Sequence, residues 1–142
     1  MENYFLLAMG YWNLIGSIAL YLMLNEAIAD TILRQWTEII TQPYQIDKYN
    51  SLWLLWAATT NTFFSAINIF AAEWESATQA TVIGGDVFVY GIFLLSSIAA
   101  LKQETYGRGL YITLVLKVFW IFWAIYALLV VSGMVGLLTN HL

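Results

Sequence analysis

The sequence predicts an all-α integral membrane protein: a four-helix transmembrane bundle with an additional amphipathic interfacial helix after the first span. Three observations carry this expectation. Of the 142 residues, 61% are apolar and only 10% are charged, far from the balance of a soluble domain, where about a quarter of residues carry charge. Four apolar stretches, at 4–24, 52–72, 81–101 and 111–138, each supply the roughly 20 helical residues needed to cross a hydrocarbon core about 30 Å thick. The loop charges then fall on one side of the resulting zigzag. With one proline, nine glycines and no low-complexity tail, residues 1–142 read as a single membrane domain.

The first span opens in MENYFLLAMGYWNLIGSIALYLML. No basic cluster precedes the apolar run, and the run is longer than the apolar region of a signal peptide, so it is expected to stay as a membrane helix. Gly10, Asn13 and Ser17 mark one small, polar face of it.

An amphipathic helix is expected over 27–42. Ile28, Ile32, Leu33, Trp36, Ile39 and Ile40 share one helical face, while Asp30, Arg34 and Glu38 form an i,i+4 ladder on the other, and Pro43 stops the helix. Such a helix anchors in the interface and seals the bundle; the sharper alternative is a docking surface or a lid over a cavity mouth.

In the second span Ala57, Asn61, Ser65, Asn68 and Ala72 recur at spacings of four, four, three and four. Polar groups in lipid must face the bundle interior, so this stripe should meet the Gly10, Asn13 and Ser17 face, with Asn13 and Asn61 at similar depth. It serves either as helix-to-helix glue or as the polar floor of a cavity.

The third span contains Asp86, in VIGGDVF, about 7 Å inside an outer end set at Thr81. The short 73–80 loop makes spans two and three antiparallel neighbours, which brings Asn68 within hydrogen-bonding reach of Asp86. Tyr90 and Ser97 continue the same face at i+4 and i+11. Desolvation favours a neutral carboxyl, the usual origin of a proton-exchanging or cation-binding group in a membrane. The alternative is a carboxylate wetted at the rim, or a satisfied interhelical acceptor. Gly84 and Gly85 would let a backbone or a ligand approach closely.

In the fourth span Lys117 is about two turns past Tyr111, shallow enough to snorkel. Glu26, at the inner end of the first span, is its expected ion-pair partner, with a ligand counter-ion as the remoter role. Deep aromatic residues, Trp120 and Trp123 among them, either fill core volume or line a pocket for an apolar ligand.

Orientation follows from the loops. Arg34, Lys48, Lys102 and Arg108 all lie in the 25–51 and 102–110 connections, whereas the 73–80 loop and the termini carry no lysine or arginine. The positive-inside rule makes the basic connections cytoplasmic and places both termini and the Glu73, Glu75 loop outside, as in a bacterial inner membrane or its equivalent. Trp36, Trp53, Trp56, Tyr106 and Tyr111 then suit the inner interface, and Tyr4 and Trp74 the outer one.

Chemistry is sparsely encoded. The sequence has no cysteine and a single histidine, His141, so thiolate metal sites, haem and a metal centre are not expected, and no cofactor is. No catalytic residue is nominated, because no nucleophile, metallopeptidase or phosphate-loop motif occurs. A formal charge of −4 without a basic cluster offers nothing to nucleic acid. The first functional expectation is therefore binding or transport of an apolar or amphipathic ligand in an aromatic-lined interior. Asp86, Asn68, Asn61, Asn13, Tyr90, Trp120 and Trp123 would make its contacts, and membrane lipids and an apolar small molecule would be its partners. The other expectations are an accessory or assembly subunit of a larger membrane complex, or an intramembrane isomerase using Asp86 as acid or base. Homodimerisation suits so narrow a bundle.

Overall fold

A computed structural model describes residues 2–104 and 106–133 of the chain. Helix α1 spans Glu2–Leu22, α2 Glu26–Asp30, α3 Lys48–Ala71, α4 Ser76–Ala100 and α5 Gly109–Val131, and α2 runs directly into a π-helical turn at Thr31–Trp36. Among the described residues there is no strand, only an isolated bridge between Ile40 and Tyr106. The end of the expected last span, 134–138, and His141 lie outside the described residues.

Among the described residues three helices are long and apolar enough to cross a membrane: Asn3–Leu22, Ser76–Ala100 and Gly109–Val131. Helix α3 has 24 residues but carries Thr59, Thr60, Asn61, Thr62, Ser65 and Asn68, which lower its hydropathy. The outer surface supports a lipid environment: Phe63, Phe88, Leu95, Val115 and Phe122 are all more than 60% exposed, an apolar coat that water would penalise and lipid would not.

Helix α4 starts at Ser76 rather than Thr81. Gln79 does not break the helix because it is buried and its amide donates to Asn3 Oδ1 at 3.0 Å and to the Ala72 carbonyl at 3.1 Å. Asp86 therefore lies about 15 Å along its helix from Ser76, against about 7 Å from an end at Thr81.

The helix expected over 27–42 begins well but ends at Trp36. Asn25 caps it through Oδ1 to the Ile28 amide, 3.2 Å. Asp30 and Arg34 pair as expected, with Arg34 Nε and Nη2 donating to the two carboxylate oxygens at 2.8 and 2.5 Å. The helix stops because Thr37 Oγ1 bonds back to the Ile32 and Leu33 carbonyls at 2.8 and 3.2 Å and Glu38 adopts φ 52°, which turns the chain out of the helical path. Glu38 thus leaves the ladder and pairs with Arg108 instead, one of the two contacts being Nη2 to Oε1 at 2.8 Å.

The helices pack by pairs, α1 along α3 and α4 along α5, with sparser contact between pairs. Gly10 allows the first pair to close: a Cβ there would come within 2.5 Å of Ile69 Cγ1 and 3.1 Å of the Ser65 carbonyl oxygen. Ser65 Oγ donates to the Gly10 carbonyl at 2.7 Å, so the stripe on α3 meets α1. Phe5, Leu6, Met9, Ala71 and Ile83 are fully buried and gather at the end of the bundle that holds the α3–α4 turn. A methyl group at Gly84 or Gly85 would meet no neighbouring element within 4 Å, so neither glycine serves a close backbone approach.

Candidate functional site

Below that sealed end the two helix pairs diverge around a cavity of about 830 Å³. Its walls run from Trp12 to Met23 on α1, Trp53 to Phe64 on α3, Val89 to Phe93 on α4 and Thr113 to Trp120 on α5. These are the halves of the helices nearest the 25–51 and 102–110 connections. Trp53 and Trp56 are more than half exposed and touch edge-to-face with ring centres 5.1 Å apart. A smaller space of about 360 Å³ under Tyr44 and Gln45 shares Trp53 and Ala57 with the cavity, which puts the chain return before α3 beside it.

The polar atoms of the cavity are few and placed by neighbours. Asn61 Nδ2 donates to the Asn13 carbonyl at 2.6 Å and to Ser17 Oγ at 3.1 Å. Tyr90 donates its hydroxyl to Asn13 Oδ1 at 2.8 Å, tying α4 to α1 across the interior. Lys117 Nζ donates to Ser97 Oγ at 2.7 Å, which holds the amine against the wall between α5 and α4. Thr60 and Thr113 complete the polar lining.

The aromatic wall is a connected group. Trp120 lies over Trp123 with ring centres 5.3 Å apart and planes 14° from parallel. Trp12 meets Trp120 at 5.6 Å, and Phe5 is edge-on to Trp123 at 5.5 Å. Of these, Trp12 and Trp120 face the cavity, while Phe5 is sealed in the core behind them.

Of the residues nominated from sequence, Asn13, Asn61, Tyr90 and Trp120 line the cavity together; Asp86, Asn68 and Trp123 do not. Asn68 and Asp86 are fully buried in the layer that closes it, joined by the expected bond, Asn68 Nδ2 to Asp86 Oδ1 at 3.1 Å. Trp123 stacks behind Trp120. The expected Glu26 to Lys117 ion pair does not form. Glu26 Oε1 accepts the Ile46 amide at 2.7 Å, because the chain return passes directly over it, and Lys117 is held by Ser97.

Sequence reasoning missed Thr60, Thr113 and Gly16 as lining residues. Gly16 was detectable as the next small residue after Asn13; the two threonines carry no distinguishing pattern. It also missed the clamp between the 25–51 and 102–110 connections. There Gly107 N donates to the Ile39 carbonyl at 2.8 Å and Gly109 N to the Glu38 carbonyl at 3.0 Å, and Thr41 Oγ1 donates to the Glu104 carbonyl at 2.9 Å. The Arg34 hydrogen bonds, reinforced by the Tyr44 amide at 3.0 Å, hold the Asp30 carboxyl well below the usual carboxylate range. The Arg108 hydrogen bond lowers Glu38 in the same way.

Among the described residues no three His, Cys, Asp or Glu side chains converge to hold a metal ion. Chemically, the cavity offers aromatic surface, amide and hydroxyl groups and one amine. Comparison with family models, curated proteins and solved structures returns no match.

Proposed function

We propose that this chain is a four-span membrane protein whose inner half binds an amphipathic ligand, its apolar body against the tryptophan wall and an acidic head group at Lys117. The observation that carries the reading is the cavity of about 830 Å³, within the range of about 300–1,000 Å³ found for small-molecule sites, which are mostly apolar with a few placed polar groups. Lys117 is the only charged residue among its lining residues, which favours an anionic head.

The fourth span is α3. Along its middle the polar side chains bond within the protein: Asn61 and Ser65 bond α1, Asn68 donates to Asp86 and Thr62 donates to its own Ala58 carbonyl at 2.8 Å. Thr59 meets Tyr21 Oη at 3.4 Å, and Thr60 faces the cavity. The exposed apolar residues of α3 include Leu52, Leu55, Phe63 and Phe70. At about 1.5 Å per residue α3 is long enough to span. With four spans the basic connections are cytoplasmic and both termini lie outside.

Two experiments test these readings. Because the sequence lacks cysteine, single cysteines at Gln45, Gln103 and Glu75 can be labelled in intact cells with an impermeant maleimide. Labelling of Glu75→Cys alone is expected; labelling of Gln45→Cys and Glu75→Cys from the same side would remove α3 as a span. For the ligand, oleate and oleyl alcohol are compared by thermal shift in detergent. Stabilisation by oleate that Lys117→Gln weakens and Ala57→Trp abolishes is expected, and equal indifference to both probes would refute the site.

A further inference from the structure

Asp86 is fully buried, and half of its carboxylate is unaccounted for. Oδ1 accepts from Asn68 Nδ2 at 3.1 Å, whereas Oδ2 has no partner. Asn68, also fully buried, has the matching gap, an unpartnered Oδ1. The amide cannot be turned over to close it. Asn68 Nδ2 also donates to the Phe64 carbonyl at 3.1 Å, and reversal would set two acceptors against each other there. Two vacant acceptors therefore belong to one contacting pair, and neither can satisfy the other while Asp86 is ionised. Buried polar groups without partners are rare in native structures.

Among the described residues no counter-ion relieves this. Of the five lysines and arginines in the sequence, Lys48 is the first residue of α3, about 30 Å along it from Asn68, and Lys117, within α5, has its amine bound to Ser97, about 16 Å along α4 from Asp86. On α4 itself the nearest titratable group is Tyr90, whose hydroxyl is donated to Asn13. The buried residues of α1 near this layer are Phe5, Leu6, Met9 and Asn13, and those of α5 are Trp120, Ala124 and Ala127; none is ionisable. Glu73 and Glu75 are exposed in the turn before α4.

We propose that Asp86 and Asn68 form a proton-binding site, with Asp86 a neutral acid in this packed state, its proton on Oδ2 and donated to Asn68 Oδ1. One hydrogen supplies the missing donor for both vacant acceptors, giving an acid–amide pair closed by two hydrogen bonds. The desolvation penalty of an unpaired carboxylate acts in the same direction. Release of the proton then requires the pair to part or water to reach it, so protonation and closure of this end of the bundle are linked. The site stands independently of the ligand reading.

Infrared spectroscopy of the full chain in lipid nanodiscs tests this directly. At neutral pH a protonated-carboxyl C=O band is expected that shifts in ²H₂O and is lost in Asp86→Asn, where a second amide still offers Asn68 Oδ1 a donor. In Asn68→Leu the band should persist at higher frequency, since its hydrogen-bond acceptor is gone; this variant also serves if Asp86→Asn fails to fold. A wild-type spectrum without the band overturns the proposal. So does a band unmoved in Asn68→Leu, or one abolished by sodium chloride but not by choline chloride, which would make the occupant a cation.

Discussion

Replacing Gly109 by alanine places a methyl group where the backbone of another segment already lies. The new Cβ would overlap the Thr37 carbonyl oxygen and stand 2.8 Å from both Glu38 C and Ile39 N. All three are main-chain atoms, so no rotamer change can relieve the overlap. The 37–39 segment would have to retreat, and its retreat stretches the bonds from Gly109 N to Glu38 O and Gly107 N to Ile39 O, now 3.0 and 2.8 Å. Overpacking costs about 1–3 kcal/mol, and each lost hydrogen bond about 0.5–1.5 kcal/mol. A loss of roughly 2–6 kcal/mol is therefore expected. The assay is unfolding in mixed detergent and SDS, followed by circular dichroism, with Gly84→Ala and Gly91→Ala as controls because nothing lies within 4 Å of a Cβ at either position. If Gly109→Ala unfolded at the same SDS fraction as the controls, the close approach of the two connections would be wrong.

Asp30→Asn should loosen the return before α3, read as faster hydrogen exchange at the Tyr44 amide, which Asp30 Oδ1 now accepts at 3.0 Å. The pH dependence has a definite sign: with the folded carboxyl lowered by Arg34 and Tyr44, the wild type keeps this protection above the ordinary carboxylate range of about 4 and loses it as the pH falls below. Asp30→Asn should lack that acid dependence, and an acid response identical to wild type would exonerate Asp30. Asn61→Leu removes the bonds to Asn13 and Ser17 and should cost about 0.6–1.7 kcal/mol, from the average to the maximum found for interhelical polar contacts in membranes. A stability gain in SDS titration would mean that Asn61 contributes nothing to the α1–α3 contact.

Legibility in the sequence followed the range of each interaction. The long helices announce themselves through runs of apolar residues, because a lipid-facing helix needs no partner to be recognised. The Asn68–Asp86 bond was predictable because a turn of a few residues leaves α3 and α4 no choice but to be antiparallel neighbours. The meeting of the small, polar faces of α1 and α3 followed from the cost of polar groups in lipid. The Glu38–Arg108 pair, 70 residues apart, was hidden: local spacing offered Glu38 a ladder, and only the strained turn after Thr37, docked on two glycines, takes it elsewhere.

Composition and periodicity thus determined which long segments are helices and which polar stripe of α3 meets α1, since these depend on the residue and its near neighbours alone. How far apart the helix pairs stand, and so the existence of the cavity and the separation of Asp86 from it, came from packing. Glu26 shows why: a carboxylate takes whichever donor the folded chain brings nearest, and the Ile46 amide arrives through a path that no spacing encodes.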